Sequence, residues 1–385
     1  MSVEQKKTIV INALSALRGG GQTYIINLLK ELDNIGFDRN VILLVNKKNK
    51  KIFLPFISKN VSFYDCNFAS YNIFFRVIWE IFYLPYLLLI FEATSYYAPG
   101  GIMITKTATA CKSYTALRNM LPFDERERKR FPLLSYVRFK LWILKRVFLI
   151  SYKLSDGVIF ISKYSRDEVK KYIPDIESKS KVIYHGINDD FLKKKHSASS
   201  SQLPAEITTG NYYLYVSILD VYKAQLEVVQ EWLEMTKSGF RYPLILVGPN
   251  YNEYGNKVVK IINDNGSGLV KYIGQVEYSE LPLLYNNSRA LIFASSCECC
   301  PNILLEKLAS GRPVISSNVM PMPEFGLESV IYFDPYSKGS LTKAVQYLES
   351  GNKMEKYSVL SELRSQDFSW NITTKNTFSF LLGLD

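Results

Sequence analysis

The chain has 385 residues, enough for two domains, with 47% hydrophobic and 22% charged residues, which excludes a disordered chain. A formal net charge of +11 favours an anionic partner: nucleotide phosphates, nucleic acid or an anionic membrane surface. Five cysteines, three of them crowded into Cys297, Cys299 and Cys300, are too few and too odd in number for a disulfide framework and fit a reducing cytosol.

No apolar stretch with a cleavage site follows the N-terminus, so no secretory signal is expected. The longest apolar run, Ile81 to Phe91 with Pro85 inside it, falls short of the roughly 20 residues that span a bilayer. The expectation is a cytoplasmic protein, soluble or peripheral on the inner face of the membrane.

In chain order, Thr8–Ile11 reads as a buried strand, followed by Gly19-Gly20-Gly21 and a helical pattern from Gln22 to Asn34. Val41–Val45 and Asp156–Ser162 read as further strands. A helix follows the latter, with Ser165 and Glu168 spaced as a capping box, and Lys181–Tyr184 is a late strand. Phe68 to Leu154 is less regular and rich in aromatics. Glu125 to Arg146 carries eight basic residues interleaved with apolar ones, and two readings stand: an amphipathic helix for anionic lipid, or a core helix with a solvated basic face.

Ser197–Ser201 and Pro204 have linker composition. Beyond them, Tyr212–Ile218, Pro243–Val247, Leu269–Ile273, Ala290–Ala294, Pro313–Ser316 and Val330–Phe333 read as strands with helices between. The fold class is therefore α/β, with two Rossmann-like doubly wound domains facing across a cleft. The expected boundaries are 1–200, 201–365, and a C-terminal helix over 366–385 that returns to the N-terminal domain.

The segment after Ala290–Ala294 carries the clearest chemistry. Pro301 suits the first position of a helix and Gly311 suits its end. Glu298 then sits in a loop at the carboxyl end of a parallel strand, and Glu306 in the helix that follows. Such a loop offers backbone N–H groups and a positive dipole end to a phosphate, and two carboxylates to sugar hydroxyls. On two glutamates alone, solvated surface charge is the commoner outcome.

The whole string decides otherwise. Glu298-x7-Glu306, Pro301-Asn302-x-Leu304-Leu305-Glu306, Ala309-Ser310-Gly311-x-Pro313-Val314-Ile315 and Pro323-Glu324 resemble the retaining, group-one glycosyltransferases of family 4 type with the GT-B fold. The likeness reaches back through Leu246-Val247-Gly248 and Tyr272-Ile273-Gly274, and forward to Asp334-Pro335. The resemblance implies an NDP-sugar donor and a glycan or lipid-linked acceptor in bacterial surface polysaccharide synthesis (O-antigen, capsule or lipopolysaccharide). It makes Glu298 the ligand of the donor sugar hydroxyls and Glu306 that of the ribose. Backbone amides around Cys300, Pro301, Asn302 and Ile303 would meet the donor sugar and phosphates.

Lys223 matches the family lysine that neutralises the leaving diphosphate, while the family's arginine position falls on Ile218. Gly20 and Gly21 match the glycine-rich loop that approaches donor phosphates and acceptor. Arg118 and Asn119 stand where many relatives carry a His-Asp pair, and are the expected replacements at the reacting face. His185 reads as structural. Cys297-Glu298-Cys299-Cys300 lacks a second ligand pair, and with no Asp-x-Asp motif neither metal nor cofactor is expected. Nothing resembles a nucleic-acid module. Two other classes remain: an NDP-sugar epimerase, which needs an acid/base pair in the N-terminal half, and a non-catalytic sugar-nucleotide-binding or membrane-associated scaffold.

Overall fold

The computed structural model describes residues 7–17, 19–105, 107–192, 210–265 and 268–384. The chain forms two compact units: residues 1–186 with 369–385, and residues 187–368. The boundaries expected from composition were 200/201 and 365/366, and the linker-like residues 197–201 and Pro204 lie outside the described residues.

Unit 1 holds a seven-stranded sheet in the order β3-β2-β1-β4-β5-β6-β7. Its strands are β1 (Thr8–Asn12), β2 (Asn40–Val45), β3 (Val61–Asp65), β4 (Ala93–Ala98), β5 (Lys112–Leu117), β6 (Gly157–Phe160) and β7 (Ser180–Val182). Every pairing is parallel. Helices Gly19–Glu31 and Trp370–Leu382 pack on one face with Ile9, Ile11, Tyr97 and Ile159. The helical stretch from Ile73 to Ile90 packs on the other with Val10, Tyr96 and Ala98. The C-terminal helix is thus part of unit 1, where the Ser95 hydroxyl donates to the Leu381 carbonyl at 2.6 Å. Gly186 makes that return possible: a Cβ there would lie 2.1 Å from the Trp370 nitrogen.

Unit 2 holds a six-stranded sheet, β10-β9-β8-β11-β12-β13, also parallel throughout. Its strands are β8 (Tyr213–Val216), β9 (Leu244–Val247), β10 (Val270–Tyr272), β11 (Ala290–Phe293), β12 (Val314–Ser317) and β13 (Val330–Phe333). All six lie within a residue or two of their expected places. β4 and β5 did not announce themselves, because Ser95, Tyr96 and Tyr97 bury hydroxyls where a reading by hydrophobicity wants aliphatics. Those hydroxyls are paired: Tyr96 OH receives Asn12 Nδ2 at 2.8 Å, and Tyr97 OH lies 2.9 Å from Tyr24 OH.

Local corrections follow from capping. The helix after β6 runs Lys163–Lys170, and Ser162 caps it by accepting from the Ser165 N–H; Ser165 is inside the helix rather than at its cap. The basic segment is two helices, Glu125–Lys129 and Tyr136–Leu154. Pro132 cannot donate to a helix spanning the gap, and Ser135 starts the second by accepting from Arg138 N–H.

Candidate nucleotide-sugar site

Each sheet has a switch point where chain order reverses, the place at which open α/β sheets bind ligands beyond the strand carboxyl ends. In unit 2 it lies between β8 and β11. Lys223 follows β8 and Glu298 follows β11, and the Lys223 ammonium donates to Glu298 Oε1. The Ser295 hydroxyl donates to the same oxygen at 2.7 Å. Lys223 is only 5% exposed, so its charge is held in a largely desolvated place.

The loop geometry explains the approach. Asp220 caps the 3₁₀ turn Val221–Lys223 by accepting from Val221 N–H, and Ala224 then adopts a left-handed φ of 52° at the start of the helix Gln225–Lys237. The Tyr215 hydroxyl donates to the Lys223 carbonyl, and Ala294 N–H donates to that hydroxyl at 3.2 Å. Ser296 N–H donates to the Tyr222 carbonyl at 2.7 Å. The two loops are stitched together through the backbone. Gly248 closes the floor: its φ is 143°, and a Cβ would stand 1.9 Å from the Ser217 carbonyl oxygen.

The helix Asn302–Ala309 begins with Pro301 as its N-cap, one residue earlier than expected for that proline, and no side chain caps it. An uncapped N-terminus keeps its positive dipole end for a ligand. Cys300 and Pro301 are buried beneath it, while Asn302 and Ile303 are partly exposed. The helix ends at Gly311, φ 65°.

Glu306 lies on that helix, and Tyr278 OH donates to its Oε1 at 2.8 Å, with Asn188 Nδ2 donating to Tyr278 OH at 2.9 Å. Burial pushes the Glu306 carboxyl up to about 7, although Tyr278 and Lys307 pull it back. Burial likewise brings the Lys307 ammonium down to about 7. Tyr278 and Ser295 were not foreseen; a lone hydroxyl in a loop carries no spacing signal.

In unit 1, Arg118 and Gly20 come together: Arg118 Nη2 donates to the Gly20 carbonyl at 3.3 Å. The same atom is 3.0 Å from His185 Nε2, and the guanidinium sits 3.8 Å over the Tyr24 ring. His185 stacks on Trp370. Asn119 is exposed, and its Oδ1 accepts from Leu121 N–H in a local turn. Gly21 is in the first turn of the helix that Gly19 opens. Among the described residues no three His, Cys, Asp or Glu side chains gather as metal ligands, and all five cysteines are buried free thiols.

The family described as glycosyl transferases group 1 matches residues 200–362, and glycosyltransferase family 4 matches residues 18–191. The chain belongs to the family 4-type, group 1 glycosyltransferases. Among curated relatives, this glycosyltransferase is 23% identical over 227 residues to the O-antigen chain mannosyltransferase B of Escherichia coli. That match covers 58% of the chain and 59% of the relative, so the chain spans about three fifths of the relative's length. Its fold is GT-B. A glycosyltransferase structure from Rickettsia africae aligns with a TM-score of 0.73 at 15% identity, covering 99% of both chains. The Anabaena Alr3699/HepE structure with UDP and glucose aligns with a TM-score of 0.70 at 16% identity, covering 98% of this chain and 100% of that one.

Proposed function

We propose that this glycosyltransferase moves a hexose from an NDP-sugar to a hydroxyl of a glycan or lipid-linked acceptor, with retention at the anomeric carbon and without a bound metal, in bacterial surface polysaccharide assembly. The observation that carries this is the Lys223–Glu298 contact at the β8/β11 switch point. In this structure each group neutralises the other. With donor bound, the ammonium turns to the diphosphate and the carboxylate accepts sugar hydroxyls.

The C1–O bond to the β-phosphate breaks and a C1–O bond to the acceptor forms. The acceptor proton passes to the oxygen of the departing diphosphate. Lys223 and the uncapped helix N-terminus stabilise the charge that develops there, which is the contribution a metal makes elsewhere. Glu306 holds the ribose. Arg118, fixed beside Gly20 by His185 and Tyr24, is a permanent cation on the acceptor-bearing unit. The supporting relatives include the mannosyltransferase above, whose name concerns O-antigen chains.

The acceptor is delivered at an anionic lipid surface on the cytoplasmic side. The helix Tyr136–Leu154 supports this reading. It buries Leu141, Phe148 and Tyr152 yet leaves Tyr136, Phe139, Ile143, Ile150 and Leu154 exposed on its opposite side. Leu134, at the turn before it, is 97% exposed. Exposed Lys140, Arg146 and Lys153 border this apolar stripe, the composition of a helix lying in a bilayer interface. No helix among the described residues is long and apolar enough to cross a membrane.

The test is NDP release from UDP-, GDP- and ADP-sugars with and without a glycan acceptor. Acceptor-dependent release that Glu298→Ala abolishes supports transfer. Release of none with nucleotide binding intact supports the scaffold. Product anomer by NMR decides retention, and unchanged rates in EDTA decide the metal.

A further inference from the structure

Unit 1 has its own switch point, between β1 and β4. A cavity of about 80 Å³ opens there, lined by Asn12 at the end of β1 and Ser15 beyond it, by Gly100 and Ile102 after β4, and by Arg76 and Glu80. Glu80 is 1% exposed and stands in a π-helical turn, Trp79–Tyr83, a distortion frequent at functional sites. Its Oε1 accepts from Arg76 Nε at 3.0 Å. Its Oε2 is buried without a hydrogen-bond partner among the described residues.

The neighbours do not close that valence. Asn12 spends one amide hydrogen on Tyr96 OH and stands near enough as a donor to favour the charged carboxyl, but no group among the described residues meets Oε2 in hydrogen-bond geometry. Burial raises the Glu80 carboxyl, and the Arg76 charge opposes it. Gly100 keeps the opening clear, since a Cβ there would lie 2.5 Å from the Ser15 hydroxyl. A buried carboxylate oxygen left unmatched is costly, so a donor belongs against Oε2.

We propose that this crevice is a sugar subsite for the acceptor, in which Glu80 Oε2 accepts a hydrogen bond from a ring hydroxyl of the acceptor's terminal hexose. The apolar walls, Val77, Ile102 and Ile104, face the C–H side of the ring. The volume admits the edge of one hexose; complete small-molecule pockets run from about 300 Å³ upward. Arg76 positions the carboxylate, and Ser15 is a second hydroxyl partner. This assignment rests on the transfer reading, because it names what holds the acceptor.

The test is saturation-transfer NMR of the full chain with methyl α-mannoside, α-glucoside and α-galactoside at millimolar concentration. Wild type is expected to saturate at least one glycoside. Glu80→Gln, which removes the charge, and Ile102→Trp, which fills the crevice and leaves the Glu80–Arg76 pair in place, are each expected to weaken it about tenfold. The thermal shift given by nucleoside diphosphate should be the same in all three proteins. If no glycoside saturates wild type, or if folded variants bind as wild type does, the subsite is wrong. If nucleotides give no shift and donors no NDP release, the transfer reading fails, while glycoside loss in the variants still reports on the crevice.

Discussion

The Lys223 ammonium and the Glu298 carboxylate, 75 residues apart in sequence, meet across the β8/β11 switch point with Ser295 as a third partner. The pair is largely desolvated, the side chains being 6% and 16% exposed. Removing one partner of such a pair strands the other, so its two members are coupled in stability.

Lys223→Met should therefore lower kcat by about two to three orders of magnitude, the scale of losing one charge-stabilising donor at the transition state. It should also lower stability by about 3 kcal/mol through the stranded Glu298. Lys223→Met combined with Glu298→Gln should recover most of the stability and none of the activity. Urea melts and turnover on the same preparations check both halves. Equal loss of stability in the single and double variants argues against the pair.

Nucleotide affinity should rise with pH through about 7, where Glu306 loses its proton. Ribose hydroxyls donate, so the ionised carboxylate is the binding form. Tyr278 and Lys307 both favour that form, and Lys307 itself discharges near 7. Glu306→Gln should bind about tenfold more weakly at pH 8, with a flat profile. Tyr278→Phe removes the hydrogen bond that lowers the carboxyl, and should move the midpoint to higher pH. Lys307→Met separates the ammonium from the carboxyl. Calorimetric titration with UDP, GDP and ADP from pH 6 to pH 8.5 gives these curves.

The loop and helix that carry Glu298 and Glu306 were legible because their signals are local. Glu298 and Glu306 bracket one loop and one helix, and Pro301 and Gly311 mark the ends of that helix. The Rossmann alternation of unit 2 was legible because its strands are short aliphatic runs. Tyr278 and Ser295 were not legible, since what matters is which oxygen they face after 28 and 3 residues of chain. Unit 1 hid more. Its β4 buries tyrosines and a serine, and Glu80 sits in an apolar stretch that reads as plain core, so only the fold reveals that its Oε2 lacks a partner. The unit boundary at 186/187 was missed because it depends on Gly186 passing Trp370 from the far end of the chain.

Gly248→Ala should be among the most damaging single-methyl additions in unit 2. The new Cβ would overlap the Ser217 carbonyl, a backbone atom that cannot swing away, at a φ that L-residues rarely adopt. A loss of at least about 3 kcal/mol is expected, seen as a lower urea midpoint with an unchanged slope. Gly239→Ala is the control: φ there is 96° with open space around the Cβ, so it bears the conformational cost alone.

If the helix Tyr136–Leu154 docks on a membrane as proposed, two parts of that docking are separable. The apolar stripe buries in the interface, and the bordering cations act only on anionic lipid and only within a screening length of it. Phe139→Ser with Ile143→Ser changes exposed side chains opposite the buried Leu141, Phe148 and Tyr152, so the fold should survive. It should release the protein from phosphatidylglycerol vesicles at every salt concentration. Lys140→Gln with Arg146→Gln should instead weaken binding at low salt and converge with wild type at high salt, by roughly 1 kcal/mol per charge removed. Sedimentation with vesicles of phosphatidylglycerol and of phosphatidylcholine measures both. A wild-type protein that ignores both lipids, or variants that sediment as wild type does, would leave the exposed stripe without a membrane role and move acceptor capture to soluble glycans.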